Sequence, residues 1–137
     1  MNTSKALKAI KKHIEKFVPE NIKIFNDTRP EGDIDSIVIS VLPVSVQAFV
    51  DDEPDAPDRR VMCNINFSVC MKNATTARNL AEKIVADLSG MTLASEDGSS
   101  IDFADEVSAQ FQGTDEKKYS TYITAIDCQY DINELEE

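Results

Sequence analysis

Apolar and polar residues alternate with period two from Val61 to Met71. The odd positions are Val61, Cys63, Ile65, Phe67, Val69 and Met71, and the even ones Met62, Asn64, Asn66, Ser68 and Cys70. Successive side chains of a strand point to opposite faces, so the pattern predicts a strand with one buried face and one largely polar face. At Asn73 the period changes. Ala77, Leu80, Ala81, Ile84 and Leu88 recur at helical spacing, Asn73 or Thr75 can cap the start, and Gly90 can stop the end. The stretch reads as strand, short connection and amphipathic helix, and such a helix must lie on a sheet to bury its stripe.

The same signals run along the rest of the chain. Ser4 can cap a helix from Lys5, with Leu7, Ile10, Ile14 and Phe17 on one face, lysines on the others, and Pro19 ending it. The stripe is narrow and has no Trp, which fits a surface helix packed on a sheet better than one lying on a membrane. A short strand, Ile22 to Phe25, precedes the turn-rich NDTRPEGD. SIVISVLPVSVQAFV, residues 36–50, is β-rich on both parities, as in a strand covered on both faces. Pro43 either bends this strand at an edge or separates two strands. DDEPDAPDRR, residues 51–60, holds five acids and two prolines and reads as a solvated loop. After Gly90 come a short strand from Met91 to Ala94, the turn SEDGSS and a second short apolar piece. Val107, Ala109 and Phe111 then alternate with polar residues, and GTDEKK makes a turn. Tyr122, Ile126, Cys128, Tyr130 and Ile132 form the apolar parity of a long last strand. The acidic tail, residues 133–137, should fray. The expected fold is a single α+β domain over 1–137. It has two layers, a mixed or antiparallel sheet with an N-terminal helix and a central helix packed on it.

Composition changes little in this picture, and charge changes more. At 137 residues and 42% apolar, the chain suits one globular domain. No run of 18 apolar residues is present, and the basic N-terminus lacks a signal peptide's apolar core, so use in a reducing cytosol is expected. Net charge is −11, but residues 1–23 carry six lysines against two glutamates, or +4, leaving −15 for the remainder. Such a surface repels nucleic acid rather than wrapping it.

Candidate chemistry is sparse. Cys63 and Cys70 are an odd number of positions apart, so a regular strand sends them to opposite faces, where they neither bridge nor share a metal. Three thiols without C-x-x-C spacing, and one histidine, do not fit zinc. The acidic loop lacks the ligand spacing and central Gly of an EF-hand. His13, alone on the basic helix, reads as a surface residue. There is no G-x-S-x-G elbow and no phosphate-binding loop, and the carboxylates read as solvated. Tyr119 and Tyr122 have only Lys117 and Lys118 nearby, too little for an RNA-binding sheet. The expectation is no enzyme, no cofactor and no metal.

Element order and loop placement resemble the tail terminator, or tail completion, proteins of long-tailed bacteriophages, sometimes called minor capsid proteins. The resemblance covers most of the chain. It runs through KALKAIKKHIEKF, SIVISVLP, the acidic loop before RRVMCNINFSVCMKN, the helix ATTARNLAEKIVADL and the closing strand STYITAIDCQYDI. The acidic loop after Val50 is longer than the pattern asks. The resemblance implies a structural virion protein that forms a ring, typically a hexamer, on the end of the tail tube and offers a docking surface to the filled head. It implies assembly in the host bacterial cytoplasm and a place in the tail or neck of the virion. The implied partners are further copies of itself, the tail tube protein and a head–tail connector protein, with DNA passing nearby but not specifically bound, and no membrane. A ring requires a heterologous interface. Lys8, Lys11 and Lys12 against Asp51, Asp52 and Glu53 would supply complementary patches, and Asp55, Asp58, Asp97 and Asp102 are candidates to line the lumen. A head–tail connector is the neighbouring alternative, and a monomeric acidic binding module a more distant one.

Overall fold

The computed structural model describes residues 3–27, 34–48, 59–94, 100–114 and 119–132. In chain order the elements are α1 (Thr3–Ile14), β1 (Lys23–Asn26), β2 (Ser36–Ala48), β3 (Arg59–Met71), α2 (Ala74–Leu88), β4 (Thr92–Ala94), β5 (Ser100–Thr114) and β6 (Ser120–Ile132). The strands form one mixed, curled sheet in the order β1-β2-β3-β6-β5-β4. Only β1 and β2 run parallel; the other neighbours are antiparallel. The α+β expectation holds.

The period-two stretch is extended throughout, and all six odd side chains from Val61 to Met71 are buried in the core. Their partners on β6, among them Tyr130, Cys128 and Ile126, share that face. α2 lies over β3, β6 and β5 and buries Ala77, Leu80, Ala81, Ile84, Val85 and Leu88. Its start is fixed by Asn73, whose side-chain oxygen accepts the Thr76 backbone N–H at 3.0 Å. Gly90 follows the end with φ +67°, a backbone conformation open to glycine at little cost. α1 touches β2 and β4, near opposite ends of the strand order, so the sheet curls about the two helices.

Several local readings are corrected. α1 is already helical at Thr3, so Ser4 lies inside the helix and is not its cap. The helix ends at Ile14, before Pro19. A tightened turn follows, with the Phe17 N–H bonded to the Ile14 carbonyl, and Val18 is buried while Phe17 packs half-buried against the core. Arg59 and Arg60 belong to β3 rather than to the acidic loop. β2 continues through Pro43 with a register shift between Pro43 and Ser45. β1 pairs only with Ser36–Ile39, so Pro43 stands where β2 is an edge on that side and needs no N–H for a ladder. The two apolar pieces after β4 are one strand, β5, joined by a register shift between Phe103 and Val107.

Thr124, like Ser120 at the start of the strand, is a buried polar residue on the core-face parity of β6. It is fully buried, opposite Phe67, and its Oγ1 has no hydrogen-bond partner among the described residues. A buried hydroxyl without a partner costs about 1–3 kcal/mol. Thr124→Val keeps the shape, so its midpoint in urea should match or exceed that of the parent. Phe67→Ala opens a cavity under α2 and should lose about 3–5 kcal/mol in the same measurement.

Candidate assembly surfaces

Because both helices cover one side of the sheet, the even residues of β3 and the odd residues of β6 form a second, polar face. Its cross-strand pairs follow the register: Arg60 with Asp131, Met62 with Gln129, Asn64 with Asp127, Asn66 with Ala125 and Ser68 with Ile123. Arg60 Nε donates to Asp131 Oδ1 at 3.0 Å, and Asn64 Nδ2 to Asp127 Oδ1 at 3.0 Å. Both residues of the Arg60–Asp131 pair are partly exposed, so the bond adds under about 1 kcal/mol. Asp102 extends this face on β5, opposite Gln129, and accepts the Thr92 hydroxyl at 2.8 Å. Asp102 and Asp127 are exposed.

The register shift in β5 shapes this end of the face. Phe103 stands opposite Cys128 and Val107 opposite Ile126, so β5 spends four steps where β6 spends two. The bulge is pinned to the turn after α2. Gly90 N–H donates to the Ala104 carbonyl at 3.0 Å, and Ser89 Oγ to the Asp105 carbonyl at 2.7 Å. Beside it lies an open cleft of about 400 Å³ lined by Met62, Asp102, Asp127 and Gln129, together with Cys63 and Cys128.

The sheet also leaves long edges. Among the described residues, Ser40–Ala48 of β2 pairs only with β3, and Val107–Thr114 of β5 only with β6. An unpaired edge offers a row of N–H and C=O groups to another strand.

On the helix side, Lys8 and Lys12 are exposed and Lys11 is half-buried beside Glu15 in a second cleft against β1. His13 is not the solitary surface residue expected. Its side chain is 12% exposed, and Nε2 lies 2.6 Å from Asp87 Oδ2, linking α1 to α2. Phe17 meets the His13 ring edge-on, and Lys83 Nζ sits 5.4 Å from the Phe17 ring centre.

Of the acids proposed from the sequence, Asp102 is placed on the polar face. Asp51, Asp52, Glu53, Asp55, Asp58 and Asp97 lie outside the described residues, as does the tail 133–137. Sequence reasoning missed Asp127 and Asp131, although their place on the polar parity of β6 was a usable signal. It also left Cys128 unassigned. The structure sets Cys128 opposite Cys63, with Sγ–Sγ 3.3 Å and both thiols free. Cys70 is buried away from that cluster, on the other parity of β3.

No family model matches the chain, and no curated protein does. Solved structures do. One, a chain carrying no functional name, aligns at TM-score 0.57 and 14% identity over 97% of this chain and 96% of its own. Another, from the virion of a native gene transfer agent particle, aligns at TM-score 0.56 and 13% identity over 95% of this chain and 99% of its own. At these identities the likeness is one of fold. Met62, 41% exposed on the polar face, should accept Lys with a change in unfolding free energy within about 0.5 kcal/mol, read by chemical denaturation.

Proposed function

We propose that the chain is a structural virion protein that works by self-assembly, as a ring-forming tail terminator that caps the tail tube and docks the filled head. One observation carries this reading: its fold aligns along almost the full length of both chains with a component of a gene transfer agent virion. Three features of the chain support it. The acids Asp102, Asp127 and Asp131 share the face of the sheet that the helices leave uncovered. A surface of that sign repels a passing duplex instead of holding it. The lysines of α1 lie on the other layer, so the subunit carries two unlike patches, as a head-to-tail ring requires. The open edges of β2 and β5 suit strand addition between neighbours.

In this reading the partners are further copies of the chain, in a hexameric ring, then the tube protein and a head–tail connector protein. Its place is the virion neck, and no residue is given a catalytic role. Negative-stain imaging of the concentrated protein with tail tubes tests it. Rings seated on tube ends support a terminator, rings that bind connectors and ignore tubes shift the role to a connector, and a monomer that decorates neither removes both. Lys8→Glu, Lys11→Glu and Lys12→Glu together should raise the dissociation constant of the ring at least tenfold, about 1.4 kcal/mol or more, without lowering Tm. An unchanged oligomer distribution would sink the charge-pairing idea.

A further inference from the structure

We infer that Cys63 and Cys128 are a redox pair that small peroxides close to an intramolecular disulfide across the β3–β6 ladder, next to the β5 bulge. The inference is independent of the proposed function. The two cysteines are direct register partners. Directly opposed residues of an antiparallel ladder have Cα atoms about 4.5 or 5.5 Å apart, depending on the pair type. Both spacings lie inside the roughly 4.4–6.8 Å range that a disulfide spans. The sulfurs, now 3.3 Å apart, need approach by only about 1.2 Å to bond. Cys70 does not compete, because it lies on the other parity of β3.

Burial ordinarily makes a thiol inert, and these residues are only 1% and 5% exposed. Both residues border the cleft beside the β5 bulge, where the β5–β6 ladder is already interrupted, so local opening there admits a small oxidant. Their chemistry is also unequal. The hydrogen bond from Cys128 draws the Cys63 thiol below its ordinary range, against burial and the nearby Asp127 carboxylate. The same hydrogen bond, with burial and the charges of Cys63 and Asp127, pushes Cys128 well above it. Cys63 is therefore the first nucleophile.

Its thiolate sulfur attacks one oxygen of hydrogen peroxide. The O–O bond breaks, and the departing hydroxide takes a proton to become water, leaving a sulfenic acid on Cys63. The Cys128 sulfur then attacks Cys63 Sγ. The S–O bond breaks, and the hydroxide leaves as water with the Cys128 proton. Two thiols and one peroxide give one disulfide and two waters, with two electrons passing from sulfur to oxygen. A reducing cytosol keeps the pair open, and oxidising surroundings close it.

The test treats the native full chain, in a Cys70→Ser background, with hydrogen peroxide. Expected are a mass loss of about 2 Da, a non-reduced peptide joining Cys63 to Cys128, and reversal by dithiothreitol. With Cys128→Ala added, Cys63 should instead hold a sulfenic acid that dimedone traps. Two results would overturn the inference. In one, the folded Cys70→Ser chain gives intermolecular disulfides, or the folded wild-type chain treated alongside it gives Cys70-linked ones, in place of the pair. In the other, the folded pair keeps both thiols while the same chain, unfolded, oxidises.

Discussion

The structure depends on the unbroken ladder between β3 and β6. Its register runs from Arg59 opposite Ile132 to Met71 opposite Ser120 without a shift. A slip of one residue would turn Ile65, Phe67 and Val69 to the polar side, so burial under α2 fixes the pairing. The irregularities fall outside this ladder, at Pro43 between β2 and β3 and at two places between β5 and β6. The centre can be regular because it carries most of α2, and the flanks can bend because what they bury is shared with α1 and the short strands β1 and β4.

Legibility followed from the same physics. Periodicity reports which side of an element is buried, and it placed β3, α2, the Asn73 cap and the Gly90 stop from residues alone. It does not report which residue lies opposite. Cys63 was legible as a core residue, but its partner required the β3–β6 register, which is set sixty-five positions away. His13 was read from its own helix, whereas its environment is made by Asp87 on α2. β5 looked like two pieces because the bulge after Phe103 interrupts the alternation while the backbone stays extended. The acid surface was legible as an excess of charge. Placing Asp127 and Asp131 beside Asp102 needed the pairing of β6 with both neighbours.

The two layers separate functions as well as residues. The helix layer holds the apolar stripes and the lysines of α1. Among the described residues no helix lies over the opposite face of the sheet, which holds polar side chains paired across strands. Surface pairs of this sort add little stability, so the composition of that face is constrained less by folding than by what it meets. In the proposed ring, that freedom is what permits an acidic surface without loss of the core.

Screening sharpens this separation. At physiological salt, charges interact over about 8 Å, while a helix packed on a sheet spreads its outer surfaces over roughly twice that distance. The lysines of α1 and the acids of the sheet face therefore cancel little within one subunit. Each face presents its own sign to a neighbour despite the net charge of −11. In the proposed assembly a subunit so polarised would meet its neighbour through unlike faces, a contact that closes into a ring where the rotation between copies closes and extends as a filament where it does not. In the proposed ring, the edges of β2 and β5 left open among the described residues would offer a second pair of unlike surfaces, lying in the plane of the sheet rather than across it.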